Sequence, residues 1–311
     1  MKPGKVRVIY GKNGGRFPFC NSIFIDDSIK VVVDPGAGPD ILEGLKAGGP
    51  VDMVINTHYH FDHIVYNHLF SNSKIYINQV EGDCFRSKRE LAGRLGMTAV
   101  YGEGWVRGWM ERISNPGTPQ SPFSPQNRHE WWLSASRVDG TYRWGEVFDF
   151  GSTRMEVIGA PGHTAGFSCL YFPEQDAVYT GDIDLTHFGP WYGGSDGDID
   201  LFIDSARKIA DLRAGTYITG HEAGSVSWDE FKQRLEKFLD IINIRDAKIL
   251  AALSTGPMNR KELSSLGLIY DRRYLVDDWL RAWEELMVEK HLKRLVGMGE
   301  AGFDGDSYYR I

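Results

Sequence analysis

The run Val51-Asp52-Met53-Val54-Ile55-Asn56-Thr57-His58-Tyr59-His60-Phe61-Asp62-His63 decides how the rest of this chain is read. An apolar segment of strand length stops, and three imidazoles and a carboxylate follow within six residues. The segment reads as a buried strand that opens into a metal-binding turn. Imidazole nitrogen suits zinc and other borderline transition metals, and carboxylate oxygen adds negative charge. The short spacing lets one rigid turn aim all four side chains into one pocket. Two histidines fall together by chance on many surfaces; four donors in the order His-x-His-x-Asp-His are far more specific.

Further along, strand-like runs recur, and each stops at a glycine-bounded turn with one metal-capable residue. Arg154-Met155-Glu156-Val157-Ile158 leads into Pro161-Gly162-His163-Thr164-Ala165-Gly166. Ala177-Val178-Tyr179 leads into Thr180-Gly181-Asp182, and Thr216-Tyr217-Ile218 into Thr219-Gly220-His221-Glu222. Any one of these is ordinary turn chemistry. Together they resemble the metallo-β-lactamase superfamily, whose HxHxDH, later Gly-His, bridging Asp and last His are matched at every position over about residues 5–224. The resemblance implies that His58, His60 and His163 hold a first metal and that Asp62, His63 and His221 hold a second, with Asp182 bridging. Ligand count supports a pair, because five imidazoles and two carboxylates exceed what one four- or five-coordinate ion uses. Two such ions share a hydroxide, lower its pKa and clamp the oxygens of a developing tetrahedral centre. Antibiotic-degrading members commonly place a cysteine or another residue where Asp182 stands, which argues against a true β-lactamase.

Asp34, at the end of Lys30-Val31-Val32-Val33-Asp34-Pro35-Gly36, looks like the superfamily's aspartate that orients an imidazole of the metal turn; an Asp-Pro-Gly turn without that role is the alternative. Asp62 and Asp182 are the expected catalytic carboxylates. His187 is a candidate donor to a substrate oxyanion or a group that tunes Asp182, or else a packed loop residue beside Phe188. In Gly189-Pro190-Trp191-Tyr192-Gly193-Gly194, Trp191 is a candidate pocket wall and Tyr192 a candidate oxyanion donor, provided its hydroxyl reaches the reacting oxygen. His68, His129 and His291 read as structural.

The pattern of runs predicts an α/β fold: an αββα four-layer sandwich of two mixed β-sheets flanked by helices over residues 1–224, followed by a small helical domain over 225–311. Early strands are expected at Val6 to Tyr10, Ser22 to Ile25, Lys30 to Val33, Val51 to Asn56 and Lys74 to Ile77, with helices at Pro39 to Lys46 and around His63 to Phe70. From about 81 to 142 the β pattern gives way to a helical, then Pro/Ser-rich insertion, and it resumes at Trp144. The insertion holds Trp105, Trp109, Trp131 and Trp132, four of the nine tryptophans. They read either as a cap over the metal cleft or as anchors of the insert.

After Ser225 the spacing of apolar residues is helical, from Trp228 to Leu239, Arg245 to Leu253, Gly256 to Leu263, about Val276 to Met287, and His291 to Leu295. A small β wing is expected between Gly297 and Tyr309. This order resembles the winged-helix tail carried by a branch of metallo-β-lactamase-fold proteins, some of them endoribonucleases. The whole chain has a net charge of −7, and acidic and basic residues nearly balance in the tail. Polyanion binding normally needs a basic face, so packing or a homodimer contact is the leading reading of the tail and nucleic-acid binding the second.

With 42% hydrophobic and 25% charged residues the composition is that of a globular enzyme. Cys20, Cys84 and Cys169 form no disulfide framework, no leader segment stands at the start, and no apolar run has membrane-spanning length. These features predict a cytoplasmic protein with no membrane contact. The expected activity is that of a binuclear hydrolase using a metal-bridging hydroxide on a small ester, thioester or lactone. Zinc is the first choice of metal, with iron and manganese also compatible. Thr219-Gly220-His221-Glu222 is similar to the last motif of glyoxalase II, a thioesterase of this fold, but the basic residues that normally grip glutathione are not recognisable after it. A metal-dependent nuclease and a non-enzymatic metal-site regulator are the alternatives.

Overall fold

The computed structural model of the protein describes residues 5–115, 121, 123 and 137–311. Two six-stranded mixed sheets lie face to face. The first runs in sequence order through β1 (Val6–Ile9), β2 (Ser22–Asp26), β3 (Lys30–Val33), β4 (Met53–Asn56), β5 (Lys74–Asn78) and β6 (Gly140–Tyr142). The second contains β7 (Val147–Asp149), β8 (Arg154–Gly159), β9 (Ser168–Phe172), β10 (Ala177–Gly181), β11 (Thr216–Thr219) and β12 (Ser225–Ser227), also side by side in sequence order. The parallel pairs β3–β4, β4–β5, β5–β6 and β10–β11 require crossovers, and helices fill several of them.

The side-chain period of two sorts the residues into layers. Ile23, Ile25, Val31 and Val33 face inward and meet Met155, Val157, Leu170 and Tyr179 of the second sheet. Their neighbours Phe24 and Val32 face outward, toward α1 (Pro39–Leu45), α2 (Phe61–Ile64) and the insertion helices α3 (Gly82–Arg86), α4 (Lys88–Arg94), α5 (Met97–Tyr101) and α6 (Glu103–Ile113). On the far side, Cys169, Val178 and Tyr217 pack against α7 (Ile199–Ala210) and α8 (Trp228–Leu253). This is the expected four-layer sandwich.

The structure moves three boundaries. The insertion ends in a strand: β6 joins the first sheet parallel to β5, and the second sheet begins at Val147, with Trp144 in the turn before it. Gly140 has no side chain to announce a strand, and a Cβ there would meet the Tyr76 ring at 2.2 Å. The two helical stretches predicted between Trp228 and Leu253 are one helix, α8, because buried Ile242 and Arg245 continue its inner face through the polar middle. Likewise α10 (Asp278–Gly297) runs through both of the last predicted helices and follows the short α9 (Arg260–Ser265). A hairpin of β13 (Ala301–Phe303) and β14 (Tyr308–Arg310) follows.

Helix α10 belongs to three cores. Trp279, Leu280, Ala282 and Trp283 enter the core on the outer face of the first sheet, Met287 enters that of the second, and Val288, Leu292 and Leu295 join α8 and α9. Gly96, between α4 and α5, has φ 91°, a conformation that favours glycine, and it lies under the tail, where a Cβ would meet Leu286 Cδ1 at 2.0 Å.

Candidate metal centre

Five turns at one edge of the sandwich converge. The first leaves β4 at Thr57, passes His58, Tyr59 and His60, and winds into the one-turn α2 with Asp62 and His63. Asp34, at φ 47°, closes β3 beside it. Its Oδ1 accepts from the Thr57 backbone N–H at 2.7 Å, and its Oδ2 lies 2.6 Å from the Thr57 hydroxyl and 2.9 Å from His63 Nδ1. Gly36 allows the turns to nest, since a Cβ there would lie 2.0 Å from the Asp62 carbonyl oxygen. The next turn presents His163 after Gly162, whose φ of 124° and close approach to the backbone of Phe202 both exclude a side chain. Asp182 and His221 end β10 and β11.

The donor atoms gather in two groups around one carboxylate. Asp182 Oδ2 lies 3.0 Å from His163 Nε2 and 3.8 Å from His58 Nε2. Its Oδ1 lies 2.9 Å from His63 Nε2 and 3.6 Å from His221 Nε2. Asp62 Oδ2 stands 3.5 Å from His221 Nε2. His58, His60, His163 and Asp182 form one set with its donor atoms within 4.8 Å of one another, and Asp62, His63 and His221 form another. All the residues expected from the sequence as ligands are thus brought together.

This cluster suits cations. His163 Nε2 is 3.2 Å from His58 Nε2 and 2.8 Å from His60 Nδ1, so three ring nitrogens converge where a shared proton or a cation must lie between their lone pairs. Burial, then neighbouring His63, pushes His58 well below the ordinary imidazole range, and burial with His163 does the same to His60. Neutral imidazole is the form that binds metal, whereas His63 and His221 are pushed up against the effect of burial, by neighbours that include Asp182, so a proton held there must leave when an ion enters. Burial alone would raise Asp182, but His63, His163, His58 and His221 hold it well below the usual carboxylate range. Four rings are locked from behind: Nδ1 of His58 meets the Thr57 hydroxyl at 3.0 Å, that of His63 meets Asp34, that of His163 meets the Trp191 carbonyl at 2.8 Å, and that of His221 meets the Gly15 carbonyl at 2.7 Å. Such partners fix ring orientation and leave Nε2 for the centre.

The cluster forms the floor of a cavity of about 330 Å³. Phe17, Phe61, Trp191 and Phe188 contribute to its walls, and so do Tyr270, Leu280 and Trp283 from the C-terminal helical region. His187 and Asp184 also line it; burial pushes the Asp184 carboxyl up to about 6.

Tyr192 is elsewhere. It is fully buried on the far side of the loop from Trp191, its hydroxyl 2.7 Å from His291 Nε2 and 2.9 Å from the guanidinium of Arg245. The oxyanion-donor expectation is therefore corrected: the hydroxyl reaches a buried network and does not line the cavity. Trp105 and Trp109 are not in the cavity either, because they pack against Trp279 with ring centroids 5.8 Å and 5.4 Å apart. Trp131, Trp132 and His129 lie outside the described residues.

Two buried residues that sequence reasoning passed over support the floor. Arg245 of α8 donates to the carbonyls of Pro190 and Phe188, 2.6 Å and 2.5 Å away, and so pins the loop whose Trp191 carbonyl meets His163. Glu81 accepts from the Thr164 hydroxyl and from the Gly166 backbone N–H at 2.8 Å, beneath the His163 turn. Burial lifts its carboxyl to about 8. Neither carries a motif: an arginine among helical apolar residues reads as solvated, and a glutamate after a strand reads as surface.

The sequence profile of the metallo-beta-lactamase superfamily matches residues 15–78 and 104–221, more than half of the chain, and the chain belongs to that superfamily. Among curated proteins it is 26% identical over 137 residues to a hydroxyacylglutathione hydrolase of Brucella anthropi, covering 44% of this chain and 35% of that protein. It is 26% identical over 164 residues to an atrochrysone carboxyl ACP thioesterase of Pseudocercospora fijiensis, covering 51% and 46%. The chain thus spans between a third and a half of the length of these relatives. Among solved structures, a metallo-beta-lactamase family protein of Thermus thermophilus matches with a TM-score of 0.67 and 22% identity over 99% of both chains. A beta-lactamase domain protein of Burkholderia ambifaria matches with a TM-score of 0.61 and 18% identity, over 99% of this chain and 91% of that one. At these identities the two structures show the shared fold. Among the described residues, no helix is long and apolar enough to cross a membrane.

Proposed function

We propose that the protein is a binuclear metal-dependent hydrolase of a small ester or thioester, with lactones as the related cyclic class. His58, His60 and His163 would hold one ion, Asp62, His63 and His221 the other, and Asp182 both. The observation that carries this reading is the division of Asp182, whose two oxygens each face a different pair of imidazoles. Bound there, divalent ions acidify water and polarise an acyl carbonyl. The chain's own residues do the rest. The rear hydrogen bonds keep the imidazoles aimed, Asp62 within the second set is a buried carboxylate able to accept a proton, and the aromatic walls exclude bulk water. His187, on the cavity rim, would meet a substrate oxygen. His/carboxylate donors accept zinc, iron or manganese, and zinc is the first choice for all-protein sites of this kind. The hydrolase and thioesterase names of the two curated relatives agree with the reaction class.

The nuclease alternative is less well supported. Among the described residues the cavity has one permanently charged cation, Arg16, and its guanidinium is 3.1 Å from Glu222. Phosphate backbones require more positive charge than that. Metal analysis of protein purified without chelators, with turnover of acyl esters, acyl thioesters, lactones and single-stranded RNA, tests the proposal. Two ions per chain and acyl transfer to water are expected. One ion per chain, or RNA cleavage alone, overturns it.

A further inference from the structure

The cavity is larger and more aromatic than a small hydroxy-acyl group needs. At about 330 Å³, the space around the donors included, it falls within the size range of small-molecule pockets. Its rings come in two banks. Phe17 meets Phe61 edge-on at 5.4 Å in the first; in the second, Trp191 meets Trp283 edge-on at 5.4 Å and Phe188 lies 5.1 Å from Tyr270. The second bank is fastened at its polar edges: the Trp191 indole N–H donates to the Tyr270 hydroxyl at 2.7 Å, and the Trp283 indole N–H donates to the Leu95 carbonyl at 3.0 Å. What these rings offer the cavity is therefore rigid π surface, with the indole donors already used.

Resting on the hydrolase reading above, we propose that the substrate is an ester or thioester of an aromatic carboxylic acid, and that Trp283 and Tyr270 of the C-terminal helical region select its aryl group. A ring that enters between fixed rings loses few rotors, whereas an alkyl chain of equal area must freeze several. Ring edges and faces at these spacings also favour an aromatic partner over an aliphatic one. A polyanionic acyl group is disfavoured, because Arg16 is engaged by Glu222. In the reaction, oxygen from water bonds to the acyl carbon and the acyl C–S or C–O bond breaks. The leaving thiol or alcohol takes up a proton, and an arylcarboxylate departs.

The test uses metal-loaded full-length protein and N-acetylcysteamine thioesters of acetic, hexanoic, benzoic and phenylacetic acids. The aryl thioesters are expected to exceed acetyl and hexanoyl by roughly tenfold or more in kcat/KM. Trp283→Ala should collapse that ratio with metal content unchanged. Phe188→Ala, at a rim position 37% exposed, should reduce it in the same direction. Titration of phenylacetate, followed by tryptophan fluorescence, reads binding without turnover. If the thioesters, and the esters and lactones of the panel above, are all left intact yet phenylacetate binds and Trp283→Ala weakens it, the aryl pocket stands and the hydrolase reading falls. If thioesters are hydrolysed with acetyl or hexanoyl as good as phenylacetyl, the hydrolase reading stands and the aryl pocket is overturned. Neither turnover nor binding overturns both.

Discussion

The floor and the wall of the cavity are built on different terms. The floor draws on five turns that each follow a strand, and four of its five imidazoles have a hydrogen-bond partner behind them. The wall is assembled from Phe17, Leu95, Trp191, Tyr270, Leu280 and Trp283, which are scattered through the chain and share only bulk and apolarity. A cation site tolerates few donor types and few angles, so its sequence is constrained residue by residue. An apolar wall needs only area and shape, which many sequences supply.

The strongest way to break this contrast is at Asp182. Because its carboxylate touches four imidazoles, Asp182→Ala should release metal and lower turnover by on the order of a thousandfold, a large electrostatic loss in a buried site. Metal stoichiometry and kcat on one sample check it. Full metal content with near-normal turnover would mean that the floor is not organised around this residue.

Next in size is Glu81, which tests whether the floor is supported from within the sandwich. Its folded carboxyl sits at about 8 against an ordinary 4.5, so the folded state holds a proton that the unfolded state has released. Stability from this group is fully present below pH 4.5 and is lost as pH rises through about 8. Glu81→Gln keeps the acceptor for Thr164 and Gly166 but cannot ionise. It should flatten the decline, becoming more stable than the natural protein at pH 8 by a few kcal/mol at most, since each tenfold change in proton affinity is worth ~1.4 kcal/mol. Denaturant midpoints at pH 5, 7 and 8.5 measure this; parallel pH profiles for the two proteins would refute it.

Arg245 sharpens the comparison from the tail side. If α8 holds the Trp191 carbonyl against His163, Arg245→Ala should weaken metal retention by about 10–100-fold, as loss of an outer partner does, and Arg245→Lys should restore part of it. Competition with a graded chelator reads the effect. Unchanged affinity in both variants would make the floor independent of the tail. The smallest effect on activity is expected at Trp105: its alanine variant should lose about 1–3 kcal/mol of stability while substrate ratios stay as they were. A changed ratio would return the insertion to the role of a cap.

The sandwich edge was legible because each element announces itself locally. Val31-Val32-Val33 alternates between two cores, and the helix-period face of Trp228 to Leu239 continues into α8. The β6 boundary was not, since a three-residue strand with a glycine opening has almost no periodicity to read. Tyr192 followed Trp191 into the wrong place on paper: neighbours in a loop look equivalent in sequence, and only packing sends one ring to the cavity and the other to Arg245 and His291.

By itself the sequence determined the superfamily, the layer order and the set of donors that meet, because strand periodicity and ligand chemistry are encoded in short, stringent spacings. Tertiary structure alone decided which rings face the cavity, that Tyr192 turns away from it, and that the C-terminal helices form part of its wall. Those outcomes depend on contacts between residues as far apart as Leu95 and Trp283 or Pro190 and Arg245. Such pairs are set by the depth to which α8 and α10 sink into the cores of the sandwich, and no local pattern records that depth.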